Sequence, residues 1–118
     1  MKKITMYQKA TCGTCKKEKA YLTKMNVSFD EIDIVKNPPS REFLWKNIDE
    51  ANLDAFVNKH SKPYRDLNLA KRKVSKSELI DMMLKDPNLI KRPILIVGKS
   101  SRSETPVARK VYFGYNEI

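Results

Sequence analysis

Residues 3–17 read KITMYQKATCGTCKK, and this stretch decides the fold. Residues 3–7 are typical of a short first β-strand, and a polar turn follows them. From residue 14 to residue 25 the chain consists of good helix formers, with apolar residues spaced along one helical face. Cys12 and Cys15 therefore lie where a strand passes into a helix.

A Cys-x-x-Cys motif at such a turn indicates a reactive dithiol. Residues i and i+3 of a first helical turn lie on the same side, close to the ~5.5 Å Cα separation that a disulfide prefers. Unsatisfied N–H groups and the helix dipole stabilise a thiolate on the first cysteine. Cys12 is the predicted nucleophile and Cys15 the resolving thiol. Gly13, which leaves the backbone open, and Thr14 are predicted to bind the substrate or an anion.

Two other roles for the cysteines are weighed against this one. They could be small buried apolar residues, or they could bind zinc. Tetrahedral zinc needs four ligands, which two cysteines and the distant His60 do not supply, so we expect no metal. The basic start of the chain has no long apolar run behind it, and no segment approaches the ~20 apolar residues of a membrane span. We expect a cytoplasmic protein without membrane association, and structural disulfides are rare in that compartment.

The formal net charge of +10 is large for 118 residues. Such a charge suits nucleic acid, acidic proteins or anionic substrates as partners. The basic residues are distributed, however, and the densest run, Lys71-Arg72-Lys73, is short. No basic stripe interleaved with aromatic residues is present. We expect a solvated basic surface and no direct nucleic-acid binding. Lys16 and Lys17, which follow the cysteine motif, are expected to add positive charge near the thiols.

The remaining strands complete an α/β plan. Residues 29–35 alternate apolar and acidic side chains and predict a second strand, which makes a parallel βαβ unit with the first. Residues 93–97 form an unbroken apolar run and predict a buried strand. A polar excursion over 99–109 then leads to a partner strand at 110–113, which predicts a hairpin.

Helices are predicted between the two halves. Ser40 follows two prolines and can cap a helix over residues 42–57. Ser75 and Glu78 form a capping box for another helix, which should end near Asp86. The sequence therefore predicts one domain over 1–118 with a thioredoxin-like α/β fold, a mixed sheet of βαβ and ββ parts. Its core is expected at 1–37 and 88–118, and a helical subdomain is inserted at 38–87.

Arg92 and Pro93 open the apolar strand. In thioredoxin-like folds a proline at this place is commonly cis and lies against the active cysteine, so its neighbours line the site. Arg92 would then bind an anion or stabilise the thiolate. The alternative is an ordinary exposed arginine at a strand end. Most X-Pro bonds are trans, so the sequence leaves the Pro93 isomer open.

Three motifs together resemble the arsenate reductase/Spx family across nearly the whole chain. They are Tyr7-(x4)-Cys12-x-x-Cys15-Lys16-Lys17, Pro63-Tyr64-Arg65-Asp66-Leu67-Asn68-Leu69 and Leu89-Ile90-Lys91-Arg92-Pro93-Ile94. The resemblance implies a thioredoxin-like sheet with an inserted helical subdomain, in agreement with the order of elements above.

Compared with the glutaredoxin-coupled arsenate reductases of this family, the chain keeps some residues and lacks others. Those enzymes use one nucleophilic cysteine, which Cys12 matches, and three arginines that hold the oxyanion. Arg92 matches the middle arginine, whereas the first position reads Asn58 and the third falls near Tyr115. The candidates to replace the two missing oxyanion-binding arginines are Lys59, Lys62 and Arg65.

The Cys-x-x-Cys motif and the ending Gly114-Tyr115-Asn116-Glu117 are similar to Spx-type regulators. Those proteins bind the RNA polymerase α subunit and use the dithiol as an oxidation switch. An arginine that they carry in the middle segment is replaced here by His60, for which we expect a local structural role. Most members of the family continue with a helix after the hairpin, and we expect residues 114–118 to form at most its first turn.

The primary hypothesis is a thiol–disulfide oxidoreductase related to arsenate reductases. Its substrate would be a small thiol or oxyanion compound or a protein disulfide. The resemblance implies that the protein binds no cofactor. It also implies that glutathione, glutaredoxin or thioredoxin serves as the external reductant. One alternative is a redox-sensing transcriptional regulator that binds the RNA polymerase α subunit. Another is a glutathione- and glutaredoxin-dependent arsenate reductase.

Overall fold

The structure, a computed structural model, describes residues 3–98 and 110–117. These residues contain a mixed four-stranded sheet, whose strands are β1 (Lys3–Gln8), β2 (Phe29–Asp33), β3 (Ile94–Gly98) and β4 (Lys110–Phe113). The strand order is β2-β1-β3-β4, with β1 and β2 parallel and the other neighbours antiparallel. The predicted βαβ unit and the pairing of the last two strands are confirmed. The predicted polar excursion over 99–109 lies outside the described residues.

The described residues divide into two compact units. The sheet unit consists of the residues up to Asp33 and those from Arg92 onwards, and the helical unit is Ile34–Lys91. The fold is thus α/β, and the helical unit stands in sequence between the two halves of the sheet unit.

One long helix, α1 (Gly13–Lys24), belongs to the sheet unit. Its Leu22 is buried in a cluster with Met6 of β1 and Leu95 of β3, which stand on neighbouring strands. Burying an apolar side chain of this size stabilises a fold by roughly 1.5–3 kcal/mol. This cluster therefore fixes α1, and with it the cysteine motif at its N-terminus, against the central strands.

The helical unit contains α2 (Arg41–Asn47), α3 (Lys62–Asp66) and α4 (Lys76–Lys85), with short 3₁₀ helices at Glu50–Phe56 and Pro87–Leu89. Ser40 caps α2, because its Oγ accepts a hydrogen bond from the Phe43 N–H at 3.0 Å. Ser75 and Glu78 form the predicted capping box of α4. In the part of the chain that the structure describes, no helix has the length and apolar character needed to cross a bilayer.

The single helix predicted over residues 42–57 is wrong. The chain leaves the helical conformation at Ile48 (φ −84°, ψ 125°), and Asp49 caps a separate 3₁₀ helix by accepting from the Ala51 N–H at 2.9 Å. Helix α3 was not predicted, although Ser61 caps it and a proline occupies its first turn.

Glu18 of α1 is fully buried and joins the helix to the end of the described chain. Its Oε1 accepts a hydrogen bond from the Asn116 backbone N–H at 2.7 Å. Beside it, the Lys17 ammonium lies 4.3 Å from the centroid of the Tyr115 ring. At most one helical turn was expected after β4; residues 115–117 form none, and Tyr115 and Asn116 contact α1 instead.

Because Glu18 is buried, the unfolding free energy should depend on its ionisation. Burial raises the pKa of Glu18, the Asn116 N–H lowers it, and the Glu117 charge raises it, with a net upward shift. A raised pKa in the folded state gives stability that is present below the unfolded pKa and lost as pH rises through the folded pKa. We expect Glu18→Gln to raise the unfolding free energy at neutral pH by about 1 kcal/mol and to flatten its pH dependence.

Urea unfolding at a series of pH values between acidic and neutral measures this effect. Glu42→Gln is the matched control, because it makes the same substitution at an exposed position of another helix. A pH dependence that persists unchanged in Glu18→Gln contradicts the assignment.

Candidate active site

Cys12 is the N-cap residue of α1. Its extended conformation (φ −82°, ψ 120°) ends the turn after β1, in which the Cys12 N–H donates to the Lys9 carbonyl at 3.0 Å. The Cys12 Sγ accepts a hydrogen bond from the Cys15 N–H at 3.4 Å. A cysteine sulfur thus takes the place that a serine or aspartate oxygen usually takes at a helix N-terminus.

Arg92 meets Cys12 from the other half of the sheet unit. Its guanidinium donates a hydrogen bond to the Cys12 sulfur. The following peptide bond, Arg92–Pro93, is cis. Pro93 is buried, and its carbonyl accepts from the Gly114 N–H at 2.7 Å. The structure therefore brings together Cys12, Cys15 and Arg92, with Pro93 directly after the arginine.

The Cys12 thiol is poised to ionise. Partial burial by itself raises its pKa, but the hydrogen bonds from Arg92 and from the Cys15 N–H and thiol, together with the Arg92 charge, outweigh burial. The net result is a Cys12 pKa below its ordinary value. Lys16 and Lys17 are not among the groups that lower it.

The Cys15 thiol has the opposite character. The residue is completely buried. Burial is the largest of the effects that raise the pKa of Cys15 to about 12, and the hydrogen bond and negative charge of Cys12 add to it. The backbone of Lys9 and the charge of Arg92 only partly offset them. The surroundings thus lower the pKa of the Cys12 thiol and raise that of the Cys15 thiol.

Gly13 and Thr14 form the exposed start of α1, next to the half-buried Cys12. Apart from its chain neighbours and the backbone of its own helix, a Cβ placed on Gly13 would meet no atom of the described residues within 4 Å. The space beside Cys12 is therefore open to an incoming molecule, and binding of substrate or anion by these two residues stays a prediction.

The residues considered as substitutes for oxyanion-binding arginines are engaged within the helical unit. Lys62 pairs with Asp66 at 2.6 Å, and Lys59 lies 3.6 Å from Asp54. Arg65 donates to the carbonyl of His60 at 3.1 Å. These contacts give the three cations local structural partners.

Asn58 and His60 also make local contacts. The Asn58 side chain donates to the Asn88 carbonyl at 3.3 Å and accepts from the His60 N–H at 3.2 Å. At the other position considered for an oxyanion-binding arginine, the Tyr115 hydroxyl donates to Glu117 at 2.8 Å. At Asn58 and at Tyr115, the two positions compared with oxyanion-binding arginines, the side chain thus forms hydrogen bonds within its own unit.

Sequence reasoning missed Glu18. The signal was present, because Glu18 follows Cys15 by three positions and so shares the inward face of α1 with it. A charged residue on that face indicates a specific partner, and the partner proves to be the Asn116 N–H.

The pKa difference between the thiols predicts selective alkylation. At neutral pH we expect iodoacetamide to modify Cys12 and leave Cys15 untouched, with a rate midpoint below the roughly 8.5 of an ordinary cysteine. Peptide mapping by mass spectrometry measures the label on each residue, and urea-unfolded chain is the control in which both should react. Equal labelling of both thiols in the folded chain contradicts the assignment.

Comparison with known proteins finds similarity to arsenate reductases and to Spx transcriptional regulators. A model of the ArsC family matches residues 7–117. An arsenate reductase from Escherichia coli is 35% identical over 86% of this chain and 74% of its own length. A global transcriptional regulator Spx from Streptococcus pyogenes is 29% identical over 97% of this chain and 79% of its own.

A solved structure shows the same fold. The crystal structure of a possible arsenate reductase from Streptococcus mutans aligns with a TM-score of 0.71 and 30% identity. The alignment covers 85% of this chain and 92% of that one. Most of the described fold therefore has a counterpart of known structure.

Proposed function

Because the chain belongs to the ArsC family, we propose that it is a thiol–disulfide oxidoreductase in which Cys12 attacks and Cys15 resolves. One observation carries the proposal: Arg92 and the Cys15 N–H both donate to the Cys12 sulfur, beside a second thiol that is buried and protonated. That arrangement stabilises one thiolate and keeps its partner in hydrogen-bond contact.

In the first step the Cys12 thiolate attacks one sulfur of a substrate disulfide. A new S–S bond forms between Cys12 and that sulfur, the substrate S–S bond breaks, and the other sulfur leaves as a thiolate that takes up a proton. The positive charge of Arg92 and the helix N-terminus hold the attacking thiolate before this step.

In the second step Cys15 attacks the sulfur of Cys12. Once Cys12 is in a mixed disulfide it carries no negative charge, so two of the effects that hold the pKa of Cys15 high disappear. Cys15 loses its proton, the Cys12–Cys15 disulfide forms, and the bound substrate sulfur leaves as a thiol. The substrate has gained two electrons and the chain has lost two.

An external thiol must then return the two electrons. Glutathione, glutaredoxin or thioredoxin are the reductants of the proposal, and the chain itself needs no bound cofactor. Such a cycle requires a compartment whose thiol pool is kept reduced, which favours the cytoplasm.

An assay that couples NADPH oxidation to glutathione turnover tests the proposal. The reduced chain is run with a glutathione mixed disulfide and, separately, with arsenate. Steady turnover of the mixed disulfide supports the oxidoreductase, and turnover of arsenate alone supports an arsenate reductase instead. No turnover of either substrate, together with a disulfide that forms readily, contradicts an enzyme function.

The second candidate is a redox-sensing transcriptional regulator. It is favoured by the similarity to the Spx regulator from Streptococcus pyogenes, which extends over 97% of this chain, and by the two cysteines. Under this proposal the chain binds the RNA polymerase α subunit and the Cys12–Cys15 disulfide changes the binding surface. Purified polymerase that binds the chain in one redox state and not in the other supports it, whereas equal binding or equal absence of binding in both states contradicts it.

A further inference from the structure

The helical unit holds a cavity of about 160 Å³ that the proposed function does not use. Its lining is mostly apolar and includes Leu53, Val57, Tyr64, Leu69, Val74 and Leu79. Leu79 and Val57 are buried and form its floor, whereas Leu53, Leu69 and Val74 remain partly exposed. An apolar depression thus opens at the surface of this unit.

The size of the cavity limits what it can hold. Pockets for small-molecule ligands generally enclose about 300–1,000 Å³. A cavity of about 160 Å³ is smaller and suits one apolar side chain. Side chains that anchor a protein partner bind in such well-packed, desolvated pockets.

The rim of the cavity is cationic. Arg72 and Lys73 line it, and Lys71 precedes them in the densest basic run of the chain. No ion pair within residues 3–98 and 110–117 neutralises this run. Asp54 also lines the cavity, but Lys59 lies 3.6 Å from its carboxylate and offsets its charge. The rim therefore favours an anionic neighbour beside the apolar anchor.

The wall that carries these charges is already formed. Asn68 adopts a left-handed conformation (φ 54°) that turns the chain back after α3. The Leu69 N–H donates to the Tyr64 carbonyl at 3.2 Å, and the Arg72 guanidinium donates to the Leu67 carbonyl at 3.1 Å. A partner would thus lose little affinity to the ordering of this loop.

We propose that this cavity, which we name the Leu69 pocket, binds a partner protein through one apolar side chain flanked by carboxylates. The apolar side chain fills the space between Leu53, Leu69 and Val74, and the carboxylates lie against the basic run 71–73. All the lining residues belong to the helical unit, and none of them is Cys12, Cys15 or Arg92.

Titration of the ¹⁵N-labelled chain with a short synthetic peptide tests the proposal by NMR. The peptide carries one leucine flanked by aspartates, and its matched control has alanine in place of the leucine. We expect saturable shift changes at the amides of Leu53, Val57, Leu69 and Val74, weakened by added salt, and no saturation with the alanine peptide.

Two variants and their control separate the two parts of the site. The double variant Lys71→Ala, Lys73→Ala should weaken peptide binding by about tenfold at low salt. It leaves in place the hydrogen bond from the Arg72 guanidinium to the Leu67 carbonyl. The exposed Lys24 and Lys46, changed together to alanine, remove the same charge elsewhere and should leave binding unchanged. Val74→Trp should fill the pocket and abolish binding, with thermal unfolding as the check that the variant folds.

Three results overturn the proposal. Equal shifts with the leucine and alanine peptides mean attraction by charge alone. Saturation by octanoate without saturation by the peptide makes the pocket a site for small amphipathic anions. The absence of any shift at the lining residues excludes the site. None of these results bears on the dithiol, so they leave the proposed oxidoreductase standing.

Discussion

Replacing Cys12 by serine should reduce turnover of a glutathione mixed disulfide by at least about a thousandfold. A serine hydroxyl does not ionise near neutral pH, so the bond to the substrate sulfur has no nucleophile to form it. The initial rate of NADPH oxidation in the coupled assay measures the loss. Serine still accepts a hydrogen bond at a helix N-cap, so the fold should persist, which thermal unfolding checks.

Cys15→Ser is the matched variant for this test. It keeps the attacking thiolate and removes the resolving thiol, so added glutathione must release the substrate from Cys12 in place of Cys15 and should restore turnover. Cys12→Ser should show no such rescue. Activity that survives in Cys12→Ser and vanishes in Cys15→Ser would reverse the roles of the two thiols.

Removing Arg92 should raise the pKa of the Cys12 thiol and slow its reaction at neutral pH by about tenfold. Arg92→Ala removes both the hydrogen bond and the positive charge that stabilise the thiolate. The pH profile of alkylation measures this, because the midpoint should move to higher pH while the rate at alkaline pH stays near that of the unchanged chain.

Arg92→Lys and Lys16→Ala are the controls for this change. A lysine keeps the charge but not the planar guanidinium, so Arg92→Lys should fall between Arg92→Ala and the unchanged chain. Lys16 is exposed and is not among the groups that lower the pKa of Cys12, so its removal should leave the profile in place. A profile that Arg92→Ala leaves unchanged contradicts the role given to the guanidinium.

Features set by neighbouring residues could be predicted from the sequence. The caps at Ser40 and Ser75 involve partners three positions away, so their spacing reveals them. The same holds for Cys12 and Cys15, whose separation puts one at the N-cap and the other on the first turn of α1. The strands followed from apolar runs and alternation, which reflect burial on the sheet.

Features that depend on residues far apart in the chain could not be predicted from the sequence. The burial of Glu18 depends on an N–H that lies 98 positions along the chain. Lys16 and Lys17 are close to the thiols in sequence, yet Arg92 supplies the charge, because it lies just before β3, the strand that pairs with β1. The break at Ile48 falls within an apolar pattern that one continuous helix would also satisfy, and the signal that marks it is the cap at Asp49.

The central claim is that Cys12 makes the first bond to the substrate and Cys15 breaks it. Mass spectrometry of the Cys15→Ser chain after reaction with oxidised glutathione tests this most directly, since no internal thiol remains to resolve the adduct. The account predicts one glutathione per chain, attached to Cys12 and stable until a reductant is added. In the unchanged chain, the same treatment should leave a Cys12–Cys15 disulfide without bound glutathione. A Cys15→Ser chain that acquires no glutathione, or a Cys12→Ser chain that acquires it on Cys15 as fast, would contradict the account.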